Sequence, residues 1–237
     1  MKFMTMSFRN MRFSHTSGLI VVIACLVALL GAVVVDALTP GQNFLFDREL
    51  LKKIENKYGK EAGLRILAWE DLIRRGSKES SDLQKLEMTN RFFNERIIFV
   101  DDIDLWGVND YWATPVEFLS RGAGDCEDYA IAKYFTLKAM GMPESKLNIT
   151  YVKAIRYNMA HMVLTYYSAP GVEPLVLDNL EDEIRPGSKR TDLVPVFGFN
   201  GSGLWLATQR GQGRHTGSPT RIAGWNDMLK RMAQNKF

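Results

Sequence analysis

Cysteine is almost absent from this 237-residue chain, which has only Cys25 and Cys126. Cys25 lies inside an apolar N-terminal run, so the rest of the chain carries a single thiol. That excludes an intramolecular disulfide framework and a cysteine-rich zinc site. Histidine is nearly as scarce, and beyond the N-terminal stretch only His161 and His215 remain. A strong charge of either sign is also missing. The formal net charge is +3, and part of it belongs to Lys2, Arg9 and Arg12, offset by Asp36, before residue 37. The near-neutral body has no basic footprint for nucleic acid. With no internal repeat, 46% apolar and 24% charged residues, the chain has the composition of one globular domain, or at most two small ones, and not of a disordered, collagenous or coiled-coil protein.

The N-terminus has a basic stretch, the apolar run Leu19 to Val35, and then the small-residue pattern Val35-Asp36-Ala37. This predicts a secretory signal over residues 1–37, cut after Ala37, with residues 38–237 as the exported body. The run is at the short end of the roughly 17–25 residues that span a bilayer, so an uncleaved membrane anchor is the competing reading. Export places the body where a lone thiol is an oxidation liability unless it is buried or useful.

Residues 38–100 predict a helical lobe. Apolar residues recur at helical spacing from Leu50 through Phe93, giving three amphipathic helices with breaks near Gly63 and at Gly76-Ser77. Residues 101–237 predict a catalytic helix and a sheet. A structured loop region over residues 101–124, with a short helix introduced by Pro115, leads to the best-defined element. In it Gly122-Ala123-Gly124 forms a flexible approach, Asp125 is placed to cap with Asp128 three residues on, and Cys126 is the first helical residue. Beyond Pro143 the pattern becomes β-branched and alternating, near Leu147–Ile155, His161–Tyr167, Pro174–Asn179 and Val194–Phe199. An antiparallel sheet packed on the Cys126 helix is expected. The Gly-, Ser- and Arg-rich segment from Gly201 to Thr220 is expected to loop out before a last helix from Ile222. The fold class is α+β.

Cys126 at a helix start faces unpaired backbone N–H groups and the positive end of the helix dipole, which favour a thiolate. Asp125, Glu127 and Asp128 oppose it by like-charge repulsion unless something positive neutralises them. The plain structural alternative is a small core hydrophobe. If a histidine serves this thiol it is His161, in a strand, because His215 lies in a Gly-rich loop. Asp178, at the end of an apolar strand, needs a partner that a neighbouring His161 supplies, though Asp before Asn179 is also a common turn initiator. Nucleophile on a helix start, base on a strand and acid on the next strand is a Cys-His-Asp arrangement in the papain and transglutaminase style.

The run from Asp110 to Tyr134, DYWATPVEFLSRGAGDCEDYAIAKY, with Ala160 to Leu164 and Val176 to Asn179, resembles the signature of the bacterial transglutaminase-like cysteine proteinases, specifically the LapG-type periplasmic proteases. The resemblance extends over most of residues 45–235. It implies a papain/transglutaminase-like core and a periplasmic endoprotease that clips a large outer-membrane-retained adhesin near its N-terminus, between two alanines, and so disperses a biofilm. It implies a triad of Cys126, His161 and Asp178, and calcium (Ca2+) held by Asp125, Glu127 and Asp128. It also implies sequestration by an inner-membrane receptor for cyclic di-GMP.

Calcium has an independent argument, because a hard dication would compensate three carboxylates beside a nucleophile. Ordinary capping is the alternative for these acids. Asp101-Asp102-Ile-Asp104 resembles the start of an EF-hand, but Trp106 and Ala113 fall where that loop needs oxygen ligands. Trp106, Tyr111 and Trp112 fit a partner or substrate groove, although aromatics at this density are more often core, and Trp112 is also a weak candidate for a second oxyanion donor beside the Cys126 amide. A transglutaminase-type acyl transferase would use the same triad, and a non-catalytic periplasmic adaptor would keep these residues for structure.

Overall fold

The computed structural model describes residues 47–206 and 213–234, so the N-terminal signal or anchor over residues 1–37 lies outside the described residues. Three helices open the described chain: α1 (Arg48–Tyr58), α2 (Lys60–Gly76) and α3 (Asp82–Arg96). Asp47 caps α1 through the Leu50 amide, and Ser81 caps α3 through Gln84. The break between the first two helices falls at Gly59 and not near Gly63. Gly59 takes φ +89, a backbone conformation closed to most side chains. Gly63 is inside α2, where its missing Cβ leaves room for the Glu55 side chain.

Residues 98–124 hold more regular structure than a loop region implies. A two-residue strand β1 (Ile98–Phe99) is followed by helices α4 (Asp102–Trp106) and α5 (Pro115–Arg121) and by strand β2 (Ala123–Gly124), which pairs in parallel with β1. A capping box between Thr114 and Glu117 starts α5, with Pro115 in its first turn. The β1–β2 pair fixes the backbone immediately before helix α6 (Cys126–Ala139). Asp125 occupies the N-cap position of α6, but its side chain makes no capping bond. Helix α6 is buried nearly all round, with Ile131, Ala132, Lys133, Tyr134, Thr136 and Leu137 all without exposure, which is why its apolar stripe is broad.

A seven-stranded antiparallel sheet packs against α6. Its strands are β3 (Leu147–Ala154), β4 (Met159–Tyr166), β5 (Leu175–Leu177), β6 (Arg185–Pro186), β7 (Leu193–Phe199), β8 (Leu204–Leu206) and β9 (Arg214–Gly217), in the order β6-β5-β4-β3-β7-β8-β9. The expected loop-out of residues 201–220 is therefore corrected: β8 and β9 extend the sheet past β7, with Trp205 packed edge-on to His215. The chain then enters helix α7 (Ala223–Ala233). Met162, Leu164 and Tyr166 of β4 join the main core with α6, whereas Val163 joins a second cluster with Val152, Ala154, Val176 and Leu193, as the two-residue strand period requires. Trp225 of α7 closes the main core by stacking on Phe135 of α6.

Candidate active site

Three elements carry the scarce residues: α6 holds Cys126, β4 holds His161 and the chain just past β5 holds Asp178. The structure joins His161 to Asp178, whereas the Cys126 thiol bonds to Glu127 and makes no hydrogen bond with His161. Helix α6 begins at Cys126, half-buried against the main core. The Met162 amide of β4 also acts on its sulfur, which seats the helix start against the residue following His161. Strands β4 and β5 pair with Leu164 opposite Leu177. Continued by one residue, this register puts Asp178 across from Val163, diagonal to His161 on the same sheet face. His161 Nε2 lies 2.8 Å from Asp178 Oδ1, and both side chains are almost completely buried.

Asp178 is an acceptor in this pair. Burial pushes its carboxyl up, but the bonds from His161, the Leu180 amide and Arg190 outweigh burial and hold it well below the usual carboxylate range. An ionised carboxylate has no proton to give, so the bonded Nε2 of His161 carries the hydrogen. Among the described residues His161 Nδ1 is buried and has no hydrogen-bond partner, which in a neutral ring leaves a free lone pair.

The thiol of Cys126 donates to Glu127 Oε2 at 3.1 Å. Burial pushes this thiol well above its ordinary range, the charges of Glu127 and Asp125 push it further, and the Met162 amide only partly opposes them. Without a neutralising charge, Cys126 is a protonated thiol.

The acids beside it form a larger cluster than their sequence suggests. One oxygen each from Asp102, Asp125 and Asp128 lie within 4.8 Å of one another, and Asp102, Asp110 and Glu127 form an overlapping group. Asp128 is completely buried. Its Oδ1 accepts from the Ala113 amide at 2.7 Å, and Asp102 accepts from the Tyr111 amide. Asp102 Oδ1, Asp125 Oδ1 and Asp128 Oδ2 are buried without a hydrogen-bond partner among the described residues. Burial first, and the neighbouring negative charges after it, raise the Asp102 carboxyl to about 6 and push Asp125 and Asp128 up as well. Three clustered carboxylates, each with one buried oxygen that has no hydrogen-bond partner, suit a hard cation with oxygen ligands. Gly124 is required for this packing, since a Cβ there would collide with the Asp128 carboxylate and stand 2.6 Å from the Phe118 ring.

The sequence pointed to Asp125, Glu127 and Asp128, and the structure adds Asp102, set aside with the failed EF-hand pattern, to their cluster. Four consecutive residues with three acids were the available signal. Trp112 does not line an open groove. It is buried and stacked on Phe199, and its Nε1 donates to Asp110 Oδ1 at 2.9 Å, so it is not a free oxyanion donor. Trp106 and Tyr111 are half-buried against each other.

A helix that starts at a cysteine, packed on an antiparallel sheet carrying a buried histidine–carboxylate pair, defines the papain- and transglutaminase-like class of cysteine hydrolases. The α+β core matches that class. The chain belongs to the bacterial transglutaminase-like cysteine proteinases, whose family pattern it matches over residues 70–193. Among solved structures it is similar to Legionella pneumophila LapG treated with EGTA, at 43% identity and a TM-score of 0.68, covering 79% of this chain and 98% of that one. It is equally similar to calcium-bound LapG from Legionella pneumophila, at 42% identity and a TM-score of 0.66, over 79% and 99% of the two chains. Comparison with curated proteins gave no match. The chain is a cysteine protease similar to LapG.

Proposed function

We propose that this protein is a calcium-dependent periplasmic endopeptidase that cuts a large cell-surface adhesin near its N-terminus, between two alanines, releasing the adhesin and dispersing a biofilm. The observation that carries the chemistry is the buried His161–Asp178 pair beside the helix that begins at Cys126. Cys126 is the nucleophile, His161 the general base and Asp178 the acid that fixes the imidazole. His161 accepts the thiol proton at Nδ1 as sulfur attacks the scissile carbonyl carbon. The imidazolium then returns that proton to the leaving amine, and a thioester remains. Water attacks the thioester, its proton passing to His161, and the Cys126 sulfur leaves. The Cys126 amide at the helix start is one donor to the oxyanion.

Asp102, Asp125, Glu127 and Asp128 would hold calcium, which supplies positive charge beside the thiol when bound. The three orphaned oxygens support this, and so does the existence of LapG in calcium-bound and EGTA-treated forms. The apolar N-terminal run supports export. A cyclic di-GMP receptor in the inner membrane would sequester the enzyme when the nucleotide is abundant.

The test is cleavage of a purified adhesin N-terminal fragment by purified variants. Cys126→Ala is expected to abolish cleavage with the circular dichroism spectrum and melting temperature nearly unchanged. His161→Ala should be nearly as severe, and Asp178→Asn should leave a small residual rate above that of Cys126→Ala. Comparable cleavage by Cys126→Ala refutes the mechanism.

A further inference from the structure

Every polar atom that Asp178 offers as an acceptor is occupied. Oδ1 accepts from His161 and from the Leu180 amide at 3.0 Å, and Oδ2 accepts from Arg190 Nη2 at 2.6 Å. Its backbone carbonyl accepts from Lys133 Nζ of α6 at 3.0 Å and from Asn94 Nδ2 of α3 at 2.8 Å. Arg190, just before β7, has a side chain only 4% exposed. It is braced in turn by Asp192, whose carboxylate receives Arg190 Nε at 3.0 Å and Nη2 at 2.8 Å.

We propose that Arg190 is a positioning residue of this active site, whose guanidinium, braced by Asp192, pins the free oxygen of Asp178 and thereby holds His161 in the orientation and tautomer the thiol needs. This rests on the triad proposed above. The physical reason is torsional. The bonds on Oδ1 alone leave the carboxylate free to turn about its terminal bond, which is soft and roughly two-fold, and a turn exchanges the oxygen that meets His161. A planar guanidinium bonded to the second oxygen removes that freedom. The bond from Lys133 does not replace it, because it holds the backbone carbonyl and not the carboxylate. The other charges facing this group are Asp192 on the Arg190 side, Lys133 from α6, and Asp182, which accepts from Asn94 at 2.9 Å. A purely structural ion pair would stabilise the fold without governing the imidazole, and the two roles separate experimentally.

The experiment uses the full chain with nitrogen-15-labelled histidine, the His161 signal being assigned by its loss in His161→Gln. Wild type is expected to show a single Nε2–H tautomer with a slowly exchanging, downfield Nε2 proton. Arg190→Met should broaden or lose that proton and mix the tautomers. On the adhesin fragment it should lower kcat on the order of 10- to 100-fold, as expected for small misplacement of a catalytic group, with KM within about twofold of wild type. Arg190→Lys should recover part of the Nε2 proton signal. If Arg190→Met does not fold, Asp192→Asn removes the brace and should give the same changes in weaker form. A folded Arg190→Met or Asp192→Asn protein with wild-type imidazole signals overturns the proposal, even if its melting temperature falls. Altered imidazole signals in a chain whose wild type cuts nothing would leave positioning standing and remove the protease reading.

Discussion

Removing calcium across a pH series gives the sharpest test of the acid cluster. Burial raises the Asp102 carboxyl from 3.8 to about 6, assisted by Glu127, Asp110 and Asp101 and opposed by the Tyr111 amide. An acid whose pKa is higher folded than unfolded contributes stability that is complete below the unfolded value and is lost as pH rises through the folded one. At about 1.4 kcal/mol per unit, Asp102 alone removes roughly 3 kcal/mol from the metal-free protein between pH ~4 and ~6. Asp125 and Asp128, raised by the same causes, extend the loss to higher pH. Calcium bound as proposed would compete with those protons, so its benefit would grow with pH, reaching about 2.7 kcal/mol at a hundredfold excess over Kd, or on the order of 5–10 °C in melting temperature for a domain of this size. The assay is thermal denaturation from pH 5 to 8 in EGTA and in millimolar calcium. The EGTA curve should fall with pH while the calcium curve stays level. Asp128→Asn should narrow the gap, stabilising the EGTA form at pH 7.5 by deleting a buried charge while weakening the response to calcium. Superimposed EGTA and calcium curves across the series, with Asp128→Asn costing only the ~0.5–2 kcal/mol of a lost cap, would refute the calcium reading.

Two further outcomes follow from specificity and packing. Replacing the substrate dialanine with Arg-Arg is expected to block cleavage while the fragment still binds, as measured by competition against the parent fragment. Equal turnover of both would point to a broad protease. Gly124→Ala forces a methyl group against the Asp128 carboxylate and the Phe118 ring, so it should destabilise by about 1–3 kcal/mol in urea denaturation and shift calcium titration of activity to higher concentration. Unchanged values for both would show that the Gly124 backbone yields without disturbing the acids.

Legibility followed how local each cause is. The helical lobe could be read because α1 to α3 carry apolar residues at helical spacing, and helix α6 because glycines precede it and Gly141 ends it. The break between α1 and α2 was misplaced because a glycine needed for positive φ, such as Gly59, looks the same in sequence as one needed for close approach, such as Gly63. Strands β8 and β9 were missed for another reason. β8 is three apolar residues without alternation, β9 is Arg-His-Thr-Gly with no large aliphatic residue, both bury little, and each depends on its neighbour, β8 pairing with β7 and β9 with β8. In the site, Cys126, His161 and Asp178 stood out because their residue types are scarce or sit at informative ends of elements. Asp102 and Arg190 did not. Their partners lie at Asp125, Asp128 and Asp178, and only the fold brings these separated segments together.

The electrostatics of the helix start also revise the simplest argument for a reactive cysteine. A helix N-terminus favours a nearby negative charge by ~0.3–1 kcal/mol, and by at most about 2 in partly buried settings. Unit charges about 4 Å apart interact with on the order of 4 kcal/mol near a protein surface, and Cys126 has Glu127 within 3.1 Å and Asp125 as a second negative neighbour. Repulsion exceeds the dipole, so the helix start alone does not make the thiolate that sequence position suggested. Protonating the raised acids relieves part of that repulsion, but the thiol still donates its proton to Glu127. Only a positive charge at the cluster relieves it while leaving the carboxylates ionised. On the proposed function, the same four acids that hold calcium make the nucleophile conditional on it, so the enzyme is inactive by its own charge distribution wherever the cation is scarce.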